Sequence, residues 1–199
     1  MLQQVMHTRF VMTTFARILI VSVLLLVHLT LTQGAENRWI DSVTTALGKD
    51  SNYNKTKAFQ LGMQNKWNRT WFNEGAWFVG GYWDATLAYM ESNIRENSDL
   101  YDLSLTPMLR LQRDAELSSG VTPFSEIGVG GHLLSDNKIG ERDLATKLQF
   151  CPQLGLGLGF GNKGSYELTY HYQYLTNGGI KQPNDGLKMH LLSFGYAFK

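Results

Sequence analysis

Tyr166-Glu167-Leu168-Thr169-Tyr170-His171-Tyr172-Gln173-Tyr174-Leu175-Thr176 alternates residue by residue, with Tyr166, Leu168, Tyr170, Tyr172, Tyr174 and Thr176 on even positions and Glu167, Thr169, His171, Gln173 and Leu175 on odd ones. Side chains of an extended chain point to opposite faces with period two, so this segment has one aromatic face and one mostly polar face. Two more segments split in the same way. In 100–112, Tyr101, Leu103, Leu105, Pro107, Leu109 and Leu111 stand against Asp102, Ser104, Thr106 and Arg110. In 148–160, Leu148, Phe150, Pro152, Leu154, Leu156, Leu158 and Phe160 stand against Gln149, Cys151, Gln153, Gly155, Gly157 and Gly159. Strands of a soluble sandwich usually run about 5–6 residues, whereas a strand that crosses a bilayer needs about 9–11. The lengths here favour the membrane.

Eight such segments follow one another, at about 39–48, 57–67, 76–91, 100–112, 121–134, 145–160, 164–176 and 187–198. Eight is a common size for a small closed antiparallel barrel, and closure removes the unpaired edges that lipid cannot satisfy. The fold class expected is therefore all-β, an eight-stranded transmembrane barrel. Its inward positions are small or polar, among them Gln60, Gly62 and Gln64, Asp84 and Thr86, and Glu126, Gly128 and Gly130. An interior of this size is filled by side chains, so no channel is expected. The chain ends Phe194-Gly195-Tyr196-Ala197-Phe198-Lys199, which resembles the aromatic C-terminal signature of bacterial outer-membrane proteins, displaced by one residue. With an even number of strands and both ends periplasmic, the connection after the seventh segment, 177–186, faces the outside.

The first 35 residues carry Arg9 and Arg17, an apolar run from Ile18 to Leu31, and Thr-Gln-Gly-Ala before Glu36. That order marks a secretory signal peptide over 1–35, cleaved after Gly34 or Ala35, and leaves 36–199 as one barrel domain. Met12 is an alternative start. A spanning helix would need roughly 20 apolar residues, about twice the uninterrupted apolar core present. The net charge of +1 gives no footprint for nucleic acid. The single cysteine, Cys151, leaves an exported chain without an internal disulfide, and packing is its expected role.

Several side chains have chemistry but no obvious site. Gly155-Leu156-Gly157-Leu158-Gly159-Phe160-Gly161 is glycine-rich yet fails the spacing of a dinucleotide loop and lies within a strand pattern. Asp84, Arg110 and Glu126 face inward together, as a buried polar network does. His132 and Cys151 face inward on different strands and are too few for a metal site.

The remaining feature is the loop itself. Gly179-Ile180-Lys181-Gln182-Pro183-Asn184-Asp185-Gly186 resembles the signature of the PagL family, the outer-membrane lipid A 3-O-deacylases. Gly81-Tyr82-Trp83-Asp84-Ala85 and Pro123-Phe124-Ser125-Glu126-Ile127-Gly128-Val129-Gly130 add to the resemblance, which extends loosely over the mature chain. It implies an eight-stranded barrel that removes the ester-linked 3-hydroxyacyl chain of lipid A, within lipopolysaccharide, using neither metal nor cofactor. Members place His-x-Ser-Asn at the end of the seventh strand and Glu on the eighth. A hydroxyl nucleophile needs a base to take its proton, an acid to orient that base, and donors for the oxyanion.

This sequence departs from the pattern at all three positions. Aligned through Asn177, the His position is Tyr174, the Ser position is Thr176 and the Glu position is Lys188. Asn184 and the Gly179 amide, with Asn177 nearby, stand where the family has its oxyanion donors. Threonine is a usable nucleophile, but a phenol is a weak base at neutral pH and a lysine cannot orient an imidazolium. Two routes to a base stay open: Lys188 lowering the pKa of Tyr174, or Lys188 as the base itself, as in Ser–Lys hydrolases. His171 faces inward. His190 shares the outward face with Lys188, but if 188 opposes 174 then 190 opposes 172, roughly 7 Å down the ladder and a strand away from Thr176. A bulge would alter that register. Three readings stand: a lipid A deacylase with a reorganised site, a non-catalytic barrel that holds lipid A through Lys181, Lys188 and Asn177, or a purely structural barrel.

Overall fold

The computed structural model describes residues 39–51, 56–94, 98–114 and 120–198, so the expected signal peptide lies outside the described residues. Among the described residues ten strands form: β1 Ser42–Asp50, β2 Thr56–Lys66, β3 Trp77–Ser92, β4 Asp99–Arg113, β5 Val121–Leu134, β6 Lys138–Ile139, β7 Arg142–Asp143, β8 Leu148–Phe160, β9 Tyr166–Leu175 and β10 Leu187–Ala197. Eight close into a barrel in the order β1-β10-β9-β8-β5-β4-β3-β2, and β6 with β7 makes a separate two-stranded hairpin. The seam is the antiparallel pairing of first and last strands, from Ser42 opposite Ala197 to Asp50 opposite Met189. Every barrel strand thus finds two partners, which the hydrocarbon layer requires.

The alternation in the sequence becomes inside and outside. Leu103, Leu105, Leu109 and Leu111 of β4, Ile127 and Val129 of β5, and Leu154, Leu156 and Leu158 of β8 are all exposed on the outer wall, while their neighbours in sequence are mostly buried. Pro107 lies outward in β4, and the β4–β5 ladder skips from Leu105–Gly131 to Met108–Gly128 around it, because proline has no N–H to give. Near the rim of the chain termini, Trp67, Trp71 and Trp83 make edge-on contacts, and Phe160, Tyr166, Phe194 and Tyr196 form a ring cluster across β8, β9 and β10. Such girdles sit at the boundary between hydrocarbon and water.

Side chains fill the interior in layers. Nearest the terminal rim, Arg110 pairs with Glu126 at 2.7 Å and Glu167 at 2.7 Å, and Glu126 also meets Tyr82 and His171. Asp84 faces inward but stands opposite Gln64 in the β2–β3 ladder, outside that pairing. Above it Gln60 donates to Gln173, and Gln173 to Gln153 at 2.6 Å. The end nearest the 177–186 loop is a mainly apolar plug containing Met90, Leu100, Leu175, Leu187 and Met189, into which Ile139 and Leu144 descend, where Cys151 is buried and His132 Nδ1 lies 2.8 Å from Asp102 Oδ2.

Two strands start three residues later than expected, and the other strand ends differ by two residues or fewer. The first strand runs 42–50 rather than 39–48, and the sixth barrel strand starts at Leu148 rather than 145. The cause of the second is local: Asp143 Oδ1 accepts the Ala145 N–H at 2.8 Å, and Ala145 takes a φ of 61°, a turn that cannot extend into a ladder. The β6–β7 hairpin was not anticipated.

Candidate functional site

The loop after β9 is built outward from Thr176. Its backbone still pairs with Phe150 of β8, N to O at 2.9 Å and O to N at 2.8 Å, which keeps its side chain on the outer face. Asn177 turns inward and is 1% exposed. Its Nδ2 donates to Lys181 O at 2.7 Å and Leu144 O at 3.1 Å, and its Oδ1 accepts the Gly179 N–H at 2.8 Å. Gly178 and Gly179 have φ of 68° and 82°, left-handed values that glycine adopts without a Cβ penalty. The chain then returns so that Asn184 Nδ2 donates to Thr176 Oγ1 at 2.9 Å.

The β6–β7 hairpin anchors the return. Asp143 and Asp185 exchange backbone bonds, Asp143 N–H to Asp185 Oδ2 at 2.8 Å and Asp185 N–H to Asp143 O at 3.2 Å. Arg142 reaches Gly186 O at 3.0 Å and Asp50 at 2.8 Å, tying the loop to the end of β1. The Ala145 N–H, with Lys138 at 3.4 Å, holds the Asp143 carboxyl below its ordinary range. These residues escaped the sequence reading, because Gly140-Glu141-Arg142-Asp143 has the composition of any polar turn.

The three departing positions do not assemble around Thr176. Its Oγ1 accepts from the Gly178 N–H at 3.2 Å as well as from Asn184, and no hydrogen bond joins it to Tyr174 or Lys188. Tyr174 opposes Lys188 as expected, with the Lys188 Nζ 5.6 Å from the ring centroid. On its other flank the ring lies against Gly186, where a Cβ would come within 2.6 Å of it. Of the three donors, Asn184 reaches the Thr176 hydroxyl, the Gly179 amide is held by Asn177, and Asn177 organises the loop from beneath.

The β9–β10 pairing runs without a bulge from Leu187–Leu175 to Tyr196–Tyr166, so His190 opposes Tyr172 and stays away from Thr176. Its ring is not idle. Nδ1 lies 2.5 Å from Tyr170 Oη, and Nε2 lies 2.8 Å from Ser51 Oγ, at the end of β1. Beside Tyr170 and Tyr172 an apolar groove of about 690 Å³ crosses the outer wall past Leu154, Leu156, Ile127 and Leu109. Among the described residues no three His, Cys, Asp or Glu side chains are grouped to hold a metal ion.

A family model described as lipid A 3-O-deacylase (PagL) matches residues 57–197. The lipid A deacylase PagL of Pseudomonas aeruginosa is 30% identical over 169 residues, covering 84% of this chain and 89% of that protein. The lipid A deacylase PagL of Bordetella bronchiseptica is 28% identical over 104 residues, covering 52% of this chain and 54% of its own. Among solved structures, the crystal structure of the outer membrane enzyme PagL superimposes with a TM-score of 0.71 at 27% identity, over 79% of this chain and 99% of that one.

Proposed function

This chain belongs to the PagL family of lipid A 3-O-deacylases, as an eight-stranded barrel of the bacterial outer membrane, and from that membership we propose that it binds lipid A in the outer leaflet and hydrolyses its ester-linked 3-hydroxyacyl chain. The observation that carries the reading is the 2.9 Å bond from Asn184 Nδ2 to Thr176 Oγ1, which keeps an amide donor beside a hydroxyl on the lipid-facing wall. A donor there suits the anionic oxygen that forms when an ester carbonyl is attacked. Lys181 and Lys188, near the same rim, supply cations for the sugar phosphates.

The missing base favours a second reading, lipid A binding without turnover at this loop. No side chain able to take a proton touches Thr176 Oγ1. The test is expression in a host without lipid A deacylases, followed by mass spectrometry of its lipid A. Loss of one hydroxyacyl chain supports deacylation; intact lipid A from a folded barrel removes it and leaves binding. In that second case, Tyr174→His, Thr176→Ser and Lys188→Glu introduced together are expected to restore deacylation. If the triple variant is folded and still inert, the assignment of these three positions is wrong.

A further inference from the structure

We propose that Ser51, His190 and Tyr170 form an ester-hydrolysing centre on the lipid-facing wall, separate from the loop at Thr176, with Ser51 as nucleophile, His190 as base and Tyr170 positioning the imidazole. The substrate class is an anionic acyl-ester lipid of the outer leaflet. This rests on the reading above, that such an ester lies against this face of the barrel.

Three strands converge to make the site. Ser51 follows β1, and its N–H donates to Lys188 O at 2.9 Å, extending the seam ladder so that Ser51 opposes Lys188. His190 is two residues along β10 on the same outward face, between Lys49 of β1 and Tyr172 of β9. Its ring spans both neighbours, Nε2 at 2.8 Å from Ser51 Oγ and Nδ1 at 2.5 Å from Tyr170 Oη. Hydroxyl, imidazole and a third oxygen on the far ring nitrogen is the arrangement that activates a nucleophile. With the proton on Nδ1, donated to Tyr170 Oη, Nε2 is free to accept the Ser51 proton. Tyr170 also stacks on the imidazole at 6.0 Å, and Tyr172 flanks it at 5.3 Å, so the ring is fixed from two sides.

Position argues for a functional role. Ionisable side chains that face lipid are costly and are kept where they act. A girdle needs amphipathic rings, but not a serine hydroxyl held on the second imidazole nitrogen. Lys49 opposite His190 and Lys188 opposite Ser51 put two cations at the same level, which selects an anionic headgroup. The apolar groove opens beside Tyr170 and Tyr172 and takes an acyl chain.

The step balances as ordinary ester hydrolysis. Ser51 Oγ attacks the ester carbonyl carbon as its proton passes to His190 Nε2. The tetrahedral intermediate collapses, the sugar or glycerol oxygen leaves with the proton from Nε2, and an acyl-Ser51 ester remains. Water then attacks that ester, gives a proton to His190, and the acyl–oxygen bond to Ser51 breaks. His190 returns its proton to Ser51, and the net change is ester plus water to alcohol plus fatty acid.

The test is covalent capture with a long-chain alkyl fluorophosphonate on the full barrel in detergent micelles, the adduct being located by peptide mass spectrometry. Heat-modifiable migration on a gel checks folding. The expected result is an adduct on Ser51, lost in Ser51→Ala and slowed about 100-fold or more in His190→Gln, the scale of a lost general base. Tyr170→Phe is expected to keep the adduct but slow it and shift its pH–rate profile, whereas a merely structural tyrosine would leave the profile unmoved. An adduct on Thr176 or elsewhere, or none on the folded wild-type barrel, overturns the proposal. Lipid A from the same variants separates the two ideas. Deacylation that persists in Ser51→Ala, with no Ser51 adduct on the folded wild-type barrel, overturns this centre and spares the family activity. Intact lipid A with Ser51 labelled, and a long-chain p-nitrophenyl ester turned over, overturns lipid A as substrate and spares this centre.

Discussion

Asn177 shows how a residue's identity can be legible while its role is not. The sequence places it beside the hydroxyl position, as a candidate for the oxyanion. In the fold it is 1% exposed and spends its amide on Leu144 O, Lys181 O and the Gly179 N–H. Replacing it with alanine leaves a buried carbonyl short of one donor and frees the Gly179 amide, at a cost of about 1–3 kcal/mol. Asn177→Ala is therefore expected to raise amide hydrogen exchange across 177–186 while the barrel strands stay protected. Exchange in that loop equal to wild type would show that the loop is held by other means. Thr176 and Asn184 were readable because both lie within the motif. His190 and Ser51 were not, since they stand 139 positions apart and meet only through closure of the seam.

The strands were the most readable level, because a lipid-facing row and a packed interior impose period two on every one. β8 illustrates what the pattern leaves implicit. Two of its inward glycines, Gly155 and Gly157, are sites of close approach: a Cβ at Gly157 would stand 2.2 Å from Phe124 Cζ, and Phe124 in turn carries the Arg110 guanidinium 4.0 Å from its ring centroid. Gly131 faces outward from β5 with nothing within 4 Å. Gly157→Ala should thus cost about 1–3 kcal/mol by overpacking, while Gly131→Ala should fall within about 0.5 kcal/mol of wild type. Urea unfolding midpoints in lipid vesicles compare the two; equal losses would mean that backbone entropy, and not the contact, decides. The β6–β7 hairpin stayed hidden for the opposite reason. Two-residue strands carry no periodicity, and the hairpin is held by Asp143–Asp185 and Arg142–Asp50 contacts that no local window contains.

At the scale of the whole barrel, the interior divides into a mainly apolar plug under the loop, which also encloses the buried Asp102–His132 pair at 2.8 Å, and a charged layer near the opposite rim. The charged layer joins strands far apart in sequence: Arg110 of β4, Glu126 of β5, Glu167 and His171 of β9 and Tyr82 of β3. Inward alternation foretold that Arg110 and Glu126 would be inside, but which partners they share depends on the stagger of the strands around the closed sheet. Glu126 is the hub, accepting from Arg110 Nε at 2.7 Å and Tyr82 Oη at 2.8 Å and meeting His171 Nε2 at 2.5 Å. Removing it strands a buried guanidinium with Glu167 as its one carboxylate, so Glu126→Ala is expected to destabilise the barrel by about 3–5 kcal/mol. The double variant Arg110→Met, Glu126→Leu removes the guanidinium with its more deeply buried carboxylate and leaves only the partly exposed Glu167 without its partner, so it should cost less than the single one. Reversible unfolding in vesicles measures both. A double variant as unstable as Glu126→Ala would show that the layer acts through its packing of Phe124 and Tyr82, with the Arg110 guanidinium serving as a cation over their rings at 4.0 and 4.9 Å.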